Sequence, residues 1–183
     1  LFFAGSALWG WVAGIFIFNG VIFAVVNLVP MTVGIPNDGQ NVKDCRKSSI
    51  ARKALYLQLK MNADLSDGAR LKDLPLEMLQ IEKQEESEKS GLVIALRMYE
   101  IYWYMENGMD EEAKALLAEM EAKKETMALL FVNAFELIRL YYMLLEKVPL
   151  EQMAAYYNGL KPVFQQNADL SVLFVKYAYY KLL

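Results

Sequence analysis

The first 37 residues carry no charged side chain, and all 41 Lys, Arg, Asp and Glu residues of this 183-residue chain lie at or beyond Asp38. A helix needs about 20 predominantly apolar residues to cross a hydrocarbon core ~30 Å thick, and Leu1 to Val29 supplies them. The chain must therefore satisfy two solvents. Its net charge of -3 belongs entirely to the part after the apolar run, and the length leaves room for one compact domain beside the membrane element. A cleaved secretory signal fits poorly. It needs a basic start and an apolar stretch of roughly 7 to 15 residues, whereas Leu1 to Val26 is longer and has no basic residue before it. The run opens at Leu1 without an initiator Met, so further chain is expected upstream.

Composition narrows the chemistry. There is no histidine, which excludes every His-based dyad, triad or metal site built from these residues alone. The single cysteine, Cys45, makes no internal disulfide, in keeping with a reducing compartment. Its juxtamembrane position beside Arg46 and Lys47 is one where S-acylation occurs, although an unmodified thiol is the simpler expectation. There is no Gly-rich phosphate loop, no cysteine pair at metal spacing and no basic aromatic face, so nucleic acid is not an expected partner.

Gly5, Ser6, Gly10, Gly14 and Gly20 interrupt the apolar bulk, and Gly10 and Gly14 form a small-xxx-small pair. Such pairs let a second helix approach closely, which favours packing against other membrane helices over a lone lipid-facing anchor. Beyond the span, Lys43, Arg46, Lys47, Arg52, Lys53 and Lys60 outnumber Asp38 and Asp44. By the positive-inside rule that side is cytoplasmic. The expectation is an integral, multi-pass membrane protein with a cytoplasmic C-terminal domain.

The remainder reads as all-α. Ile50, Ala54, Leu57 and Met61 share one face of a helix over Ser48 to Met61. Asn62 to Pro75 holds the breakers Asp67, Gly68 and Pro75, and Glu82 to Lys89 is almost wholly polar, so this stretch reads as a linker; a solvated helical face is the alternative for the charge run. Helical pairs follow: Leu92 to Glu106, closed by Asn107 and Gly108, then a helix capped by Asp110 with a stripe of Ala113, Leu116, Leu117 and Met120. A longer helix from about Thr126 to Lys147 is stopped by Pro149, Leu150 to Gln166 forms another, and Asp169 caps a last one. The organisation is thus a transmembrane segment over 1–45, a juxtamembrane helix and linker over 46–90, and a helical domain over 91–183.

The pairs starting near Leu92 and near Thr126 are offset by about the 34 residues of a tetratricopeptide repeat. The stretch Asn107 to Met120, with Gly108 in the turn and Ala113 early in the second helix, resembles the middle of such a repeat, although Ile101 stands where the motif has a small residue. This resemblance implies a hairpin-repeat domain with a concave surface for a protein partner. The aromatic group Tyr99, Tyr102, Trp103 and Tyr104 is expected in the core rather than in a ligand groove.

The stretch most suggestive of chemistry is Asn27-Leu28-Val29-Pro30 followed by Asn37-Asp38-Gly39, which sets an acid at the membrane edge directly after an apolar helix. Ionisable groups there are costly and carry a functional expectation. Pro30 and Pro36 break the helix, Gly39 permits a tight turn, and Asp38 is presented as a hard oxygen ligand or proton acceptor. The bland alternative is an ordinary Asn-Asp-Gly surface turn. Asp67-Gly68 repeats the dipeptide without a preceding span and reads as a turn.

The pattern resembles the second signature of the site-2-protease family of intramembrane zinc metallopeptidases, an Asn-x-x-Pro followed by an Asp-Gly after a membrane helix. The resemblance covers about residues 5 to 45. It implies that Asp38 is a zinc ligand, with Asn27, Pro30 and Gly39 as the framework around it. A His-Glu-x-x-His motif on an earlier membrane helix would supply two imidazole ligands and a catalytic glutamate. Because a catalytic zinc needs three protein ligands and an open position, this stretch alone is not an active peptidase. The expected whole is a zinc metallopeptidase that hydrolyses peptide bonds of membrane-protein substrates; its partners are lipid, upstream transmembrane helices and a protein bound by the helical domain. A membrane-anchored helical-repeat adaptor without catalysis is the alternative.

Overall fold

The computed structural model describes residues 2–82, 89–160 and 170–182, and the chain is all-α in class. Helix α1, Phe2–Leu28, takes up the uncharged run. Its segment Leu8–Leu28 is long and apolar enough to cross a membrane. Among the described residues nothing covers it: Trp11 and Phe16 are 75% and 74% exposed. The one strongly polar side chain midway along this segment, Asn19, donates from Nδ2 to the Ile15 carbonyl one turn back at 2.8 Å. An amide that returns its hydrogen bond to its own helix costs less in hydrocarbon.

The helix ends where Pro30 removes the next donor. A minimal hairpin follows, β1 (Thr32–Val33) pairing antiparallel with β2 (Ile35–Pro36) around Gly34 at φ +79°. Helix α2 then runs over Asp38–Lys47 and α3 over Ser49–Ser66, with Ser48 accepting from the Ala51 amide at 3.2 Å as cap of α3. The buried face of α3 is the expected one, Ile50, Ala54, Leu57 and Met61.

The stretch expected as a linker contributes to a core. After α3, two single 3-10 turns at Leu71–Asp73 and Leu76–Met78 lay Leu74, Leu79 and Ile81 onto α3 and onto the head of α4, Gly91–Glu106. Trp103 fastens the same stretch by donating from its indole nitrogen to the Leu74 carbonyl at 2.9 Å. Burying these aliphatic side chains contributes roughly 1.5–3 kcal/mol each. Of the polar run Glu82 to Lys89, residues 83–88 lie outside the described residues.

A second core joins α4 to α5 (Asp110–Glu121) and α6 (Leu129–Leu145), with Ile101, Phe135 and Ile138 almost fully buried. A third joins α6 to α7 (Leu150–Gly159) and α8 (Leu170–Leu182) through Leu140, Met153 and Tyr179. As expected, Tyr104 and Trp103 belong to packing, with ring centroids 5.7 Å apart edge to face. Gly91 and Leu129, the starts of α4 and α6, are 38 residues apart. The expected start near Thr126 is delayed because Lys124–Thr126 forms a 3-10 turn and Met127 and Ala128 are extended. The helix expected to run from Leu150 to Gln166 stops at Gly159, where Leu160 turns to extended backbone; the residues after it, up to the expected Asp169 cap, lie outside the described residues.

Three helices close in the same way. After α3, α4 and α6, two amides turn back onto the last carbonyls, the paired bonds of a Schellman ending: Gly68 to Leu65 and Ala69 to Asp64, Gly108 to Met105 and Met109 to Tyr104, Lys147 to Leu144 and Val148 to Met143. The left-handed position is filled by Gly68 at φ +97°, Gly108 at +69° and Lys147 at +52°.

Candidate functional site at the membrane edge

Asp38 does not sit in a loose turn. It is the first residue of α2, and Asn37 before it is the helix cap. The Asn37 Oδ1 accepts from the amides of Met31 and Gln40, both at 3.0 Å. Its Nδ2 donates to the Val26 carbonyl and, at 2.7 Å, to that of Val29. One amide side chain therefore satisfies carbonyls at the end of α1 and amides at the hairpin and the start of α2. It fastens the membrane helix to the helix that follows.

Gly39 also has a different role from the expected one. It is buried at negative φ inside α2, and a Cβ there would lie 2.4 Å from the Leu28 carbonyl oxygen and 3.0 Å from that of Asn27. Its value is close backbone approach between α1 and α2, not conformational freedom. Asn27 thus contributes main chain to this contact, and Pro30 ends the helix on the other side of it.

These residues converge. Asn27, Pro30, Asp38 and Gly39 line one open groove of about 580 Å³ between the end of α1 and α2. Its remaining polar lining is cationic, from Lys43, Arg46 and Lys47. Asp38 is exposed, and as an acid in the first turn it is favourably placed against the helix dipole. A second hollow of about 670 Å³ shares Asp38, Val42 and Arg46 with the first and adds Cys45 and Arg52. Burial, followed by the nearby Asp44 charge, holds the Cys45 thiol above its ordinary value, with Arg52 opposing. A thiol so shifted is a weaker nucleophile at neutral pH.

A divalent cation needs more donors than this. Among the described residues no three His, Cys, Asp or Glu side chains gather as a metal group. Asp38 offers one carboxylate, which fits one position of a zinc site and no more.

The hairpin couples this edge to the helical core. The Leu130 amide, an unpaired donor at the start of α6, bonds to the Gly34 carbonyl at 3.1 Å. Gly91 opens α4 against Pro36, whose Cγ would lie 2.4 Å from a Cβ at that position. Sequence reasoning gave Asn37, Pro36 and Gly91 no such roles. Asn37 with Gln40 three residues on is an N-terminal capping signature that could have revealed α2; the Gln40 side chain instead donates to Asp44 at 2.7 Å.

A buried polar cluster also escaped the sequence. Glu136 on α6 accepts from Tyr156 and pairs with Lys124 at 2.9 Å. Burial first, and then this hydrogen bond, holds the Tyr156 hydroxyl neutral far above its usual range. Arg97 and Glu100 pair at 3.0 Å inside α4. Both clusters are satisfied ion pairs within the helical core, distant in chemistry from the open groove at Asp38. No family model, curated protein or solved structure matches the chain.

Proposed function

We propose that the chain is the C-terminal part of a site-2-protease-like intramembrane zinc metallopeptidase, in which Asp38 is one of the zinc ligands. The observation that carries this is convergence. Asn27 comes from α1, Pro30 from just beyond its end and Asp38 and Gly39 from α2, and all four line one groove at the end of the membrane helix. The other donors and the catalytic glutamate come from a membrane helix outside the chain. When bound, zinc supplies an activated water at neutral pH. The chain's own part is to hold the Asp38 carboxylate at a fixed place, through the Asn37 cap and the Gly39 contact.

On this proposal the protein is multi-pass, with the helical domain cytoplasmic, and the exposed Gly10 and Gly14 of α1 receive a neighbouring helix. The helical domain, read as a hairpin repeat, binds a protein. The observation favouring a partner surface is the outward face of α8, where Phe174, Tyr177 and Tyr180 are exposed together. The same face supports the alternative, a membrane-anchored adaptor without catalysis.

The test uses the complete protein and a membrane-embedded peptide substrate. Asp38→Ala is expected to abolish cleavage, and a His-Glu-x-x-His is expected within an apolar stretch upstream. Unchanged cleavage by the variant, or an upstream membrane sequence without that motif, overturns the proposal.

A further inference from the structure

We infer that the outer face of α2 is a binding site for an anionic phospholipid at the membrane edge, its headgroup phosphate held by Lys43, Arg46 and Lys47. The three cations are exposed and fall on neighbouring positions of one helical face, and all three line the groove that opens at the end of α1. Among the described residues none of them forms an ion pair. That sets them apart from the cations of the helical core: Lys114, Lys124 and Arg139 are each bonded to glutamates. Unneutralised charge gathered beside a hydrocarbon-spanning helix is matched by phosphate at the lipid surface.

The apolar part of the groove fits the rest of such a lipid. Leu28, 74% exposed, and Val42, 58% exposed, continue the uncovered surface of α1 into the groove. Acyl chains lying along α1 therefore reach the cationic face without crossing a polar barrier. The volume of about 580 Å³ falls within the range of small-molecule clefts. Asp38 opposes the anion from the same groove, so removing its charge strengthens lipid binding.

The test takes the full chain in nonionic detergent, mixes it with equal amounts of phosphatidylglycerol and phosphatidylcholine, repurifies it and measures retained lipid by mass spectrometry. Wild type is expected to retain phosphatidylglycerol over phosphatidylcholine by about tenfold or more. Lys43→Gln/Arg46→Gln/Lys47→Gln loses this preference, Lys43→Arg/Lys47→Arg keeps it, and the charge-matched control Lys60→Gln/Arg70→Gln/Lys72→Gln keeps it. Equal retention of the two lipids by wild type overturns the proposal, as does equal loss in the two triple variants. Displacement of the lipid by millimolar inorganic phosphate shows a free-anion site and overturns it as well. Asp38→Asn separates this site from the zinc proposal, because phosphatidylglycerol retention rises while zinc content falls.

Discussion

Asp38-Gly39 and Asp67-Gly68 are the same dipeptide, the first at the start of α2 and the second at the end of α3. Asp38 opens α2 and Gly39 is buried within it, pressed against the Leu28 carbonyl. Asp67 closes α3, and Gly68 turns left-handed at φ +97° with open space around it. The first glycine is required for room and the second for conformation. What decides between them lies just before each pair. Asn37 caps forward into a new helix, whereas Ser66 ends an existing one whose carbonyls need the returning amides of Gly68 and Ala69.

That contrast predicts a graded series in thermal unfolding of the detergent-solubilised chain. Gly39→Val is expected to cost most, about 3 kcal/mol, because backbone rather than a flexible side chain blocks the new atoms. An unchanged midpoint would mean that α1 and α2 do not pack this closely. Asn37→Ala comes next at about 2 kcal/mol, since it removes the cap of α2 and leaves carbonyls of α1 without a partner. If it costs no more than an exposed substitution such as Gln152→Ala, the clasp between the helices is wrong.

Gly68→Ala is expected to cost about 1 kcal/mol, all of it conformational. The comparison sharpens at Lys147, which fills the equivalent position after α6 with φ +52°. Lys147→Gly is therefore expected to stabilise by about 0.5 kcal/mol. A destabilised Lys147→Gly chain would show that this position is held by more than backbone geometry.

How much was legible in the sequence follows from which forces act at each place. α1 was plain because charge is absent over a whole span, and α3 because Ile50, Ala54, Leu57 and Met61 repeat at helical spacing. The ending of α4 was plain in Asn107-Gly108. α2 offered only the Asn37 to Gln40 capping spacing, because its ten residues bury no apolar stripe and its most apolar member, Val42, faces outward. It is held by Asn37, by Gly39 against Leu28 and by its dipole, none of which leaves a periodicity. The burial of Leu74, Leu79 and Ile81 was hidden for a related reason: 3-10 turns have no stripe, and only the tertiary contact with α3 and α4 decides their fate.

At the site, the meeting of Asn27, Pro30, Asp38 and Gly39 was legible as a pattern of residue types. The chemistry that makes them meet was not. The Asn37 side chain bridges residues six to eleven positions away, and that reach depends on the hairpin folding back from Pro30. The pairing of Gly91 with Pro36, and of Leu130 with Gly34, spans more than fifty residues and leaves no local signal.

The two Asp-Gly pairs also give the most direct test of the proposed role of Asp38. The complete protein is purified as wild type, as Asp38→Ala and as Asp67→Ala, and its zinc is measured by elemental mass spectrometry. Wild type and Asp67→Ala are expected to hold about one zinc per chain, and Asp38→Ala to lose most of it. Full zinc in Asp38→Ala, or none in wild type, contradicts the assignment of Asp38 as a metal ligand.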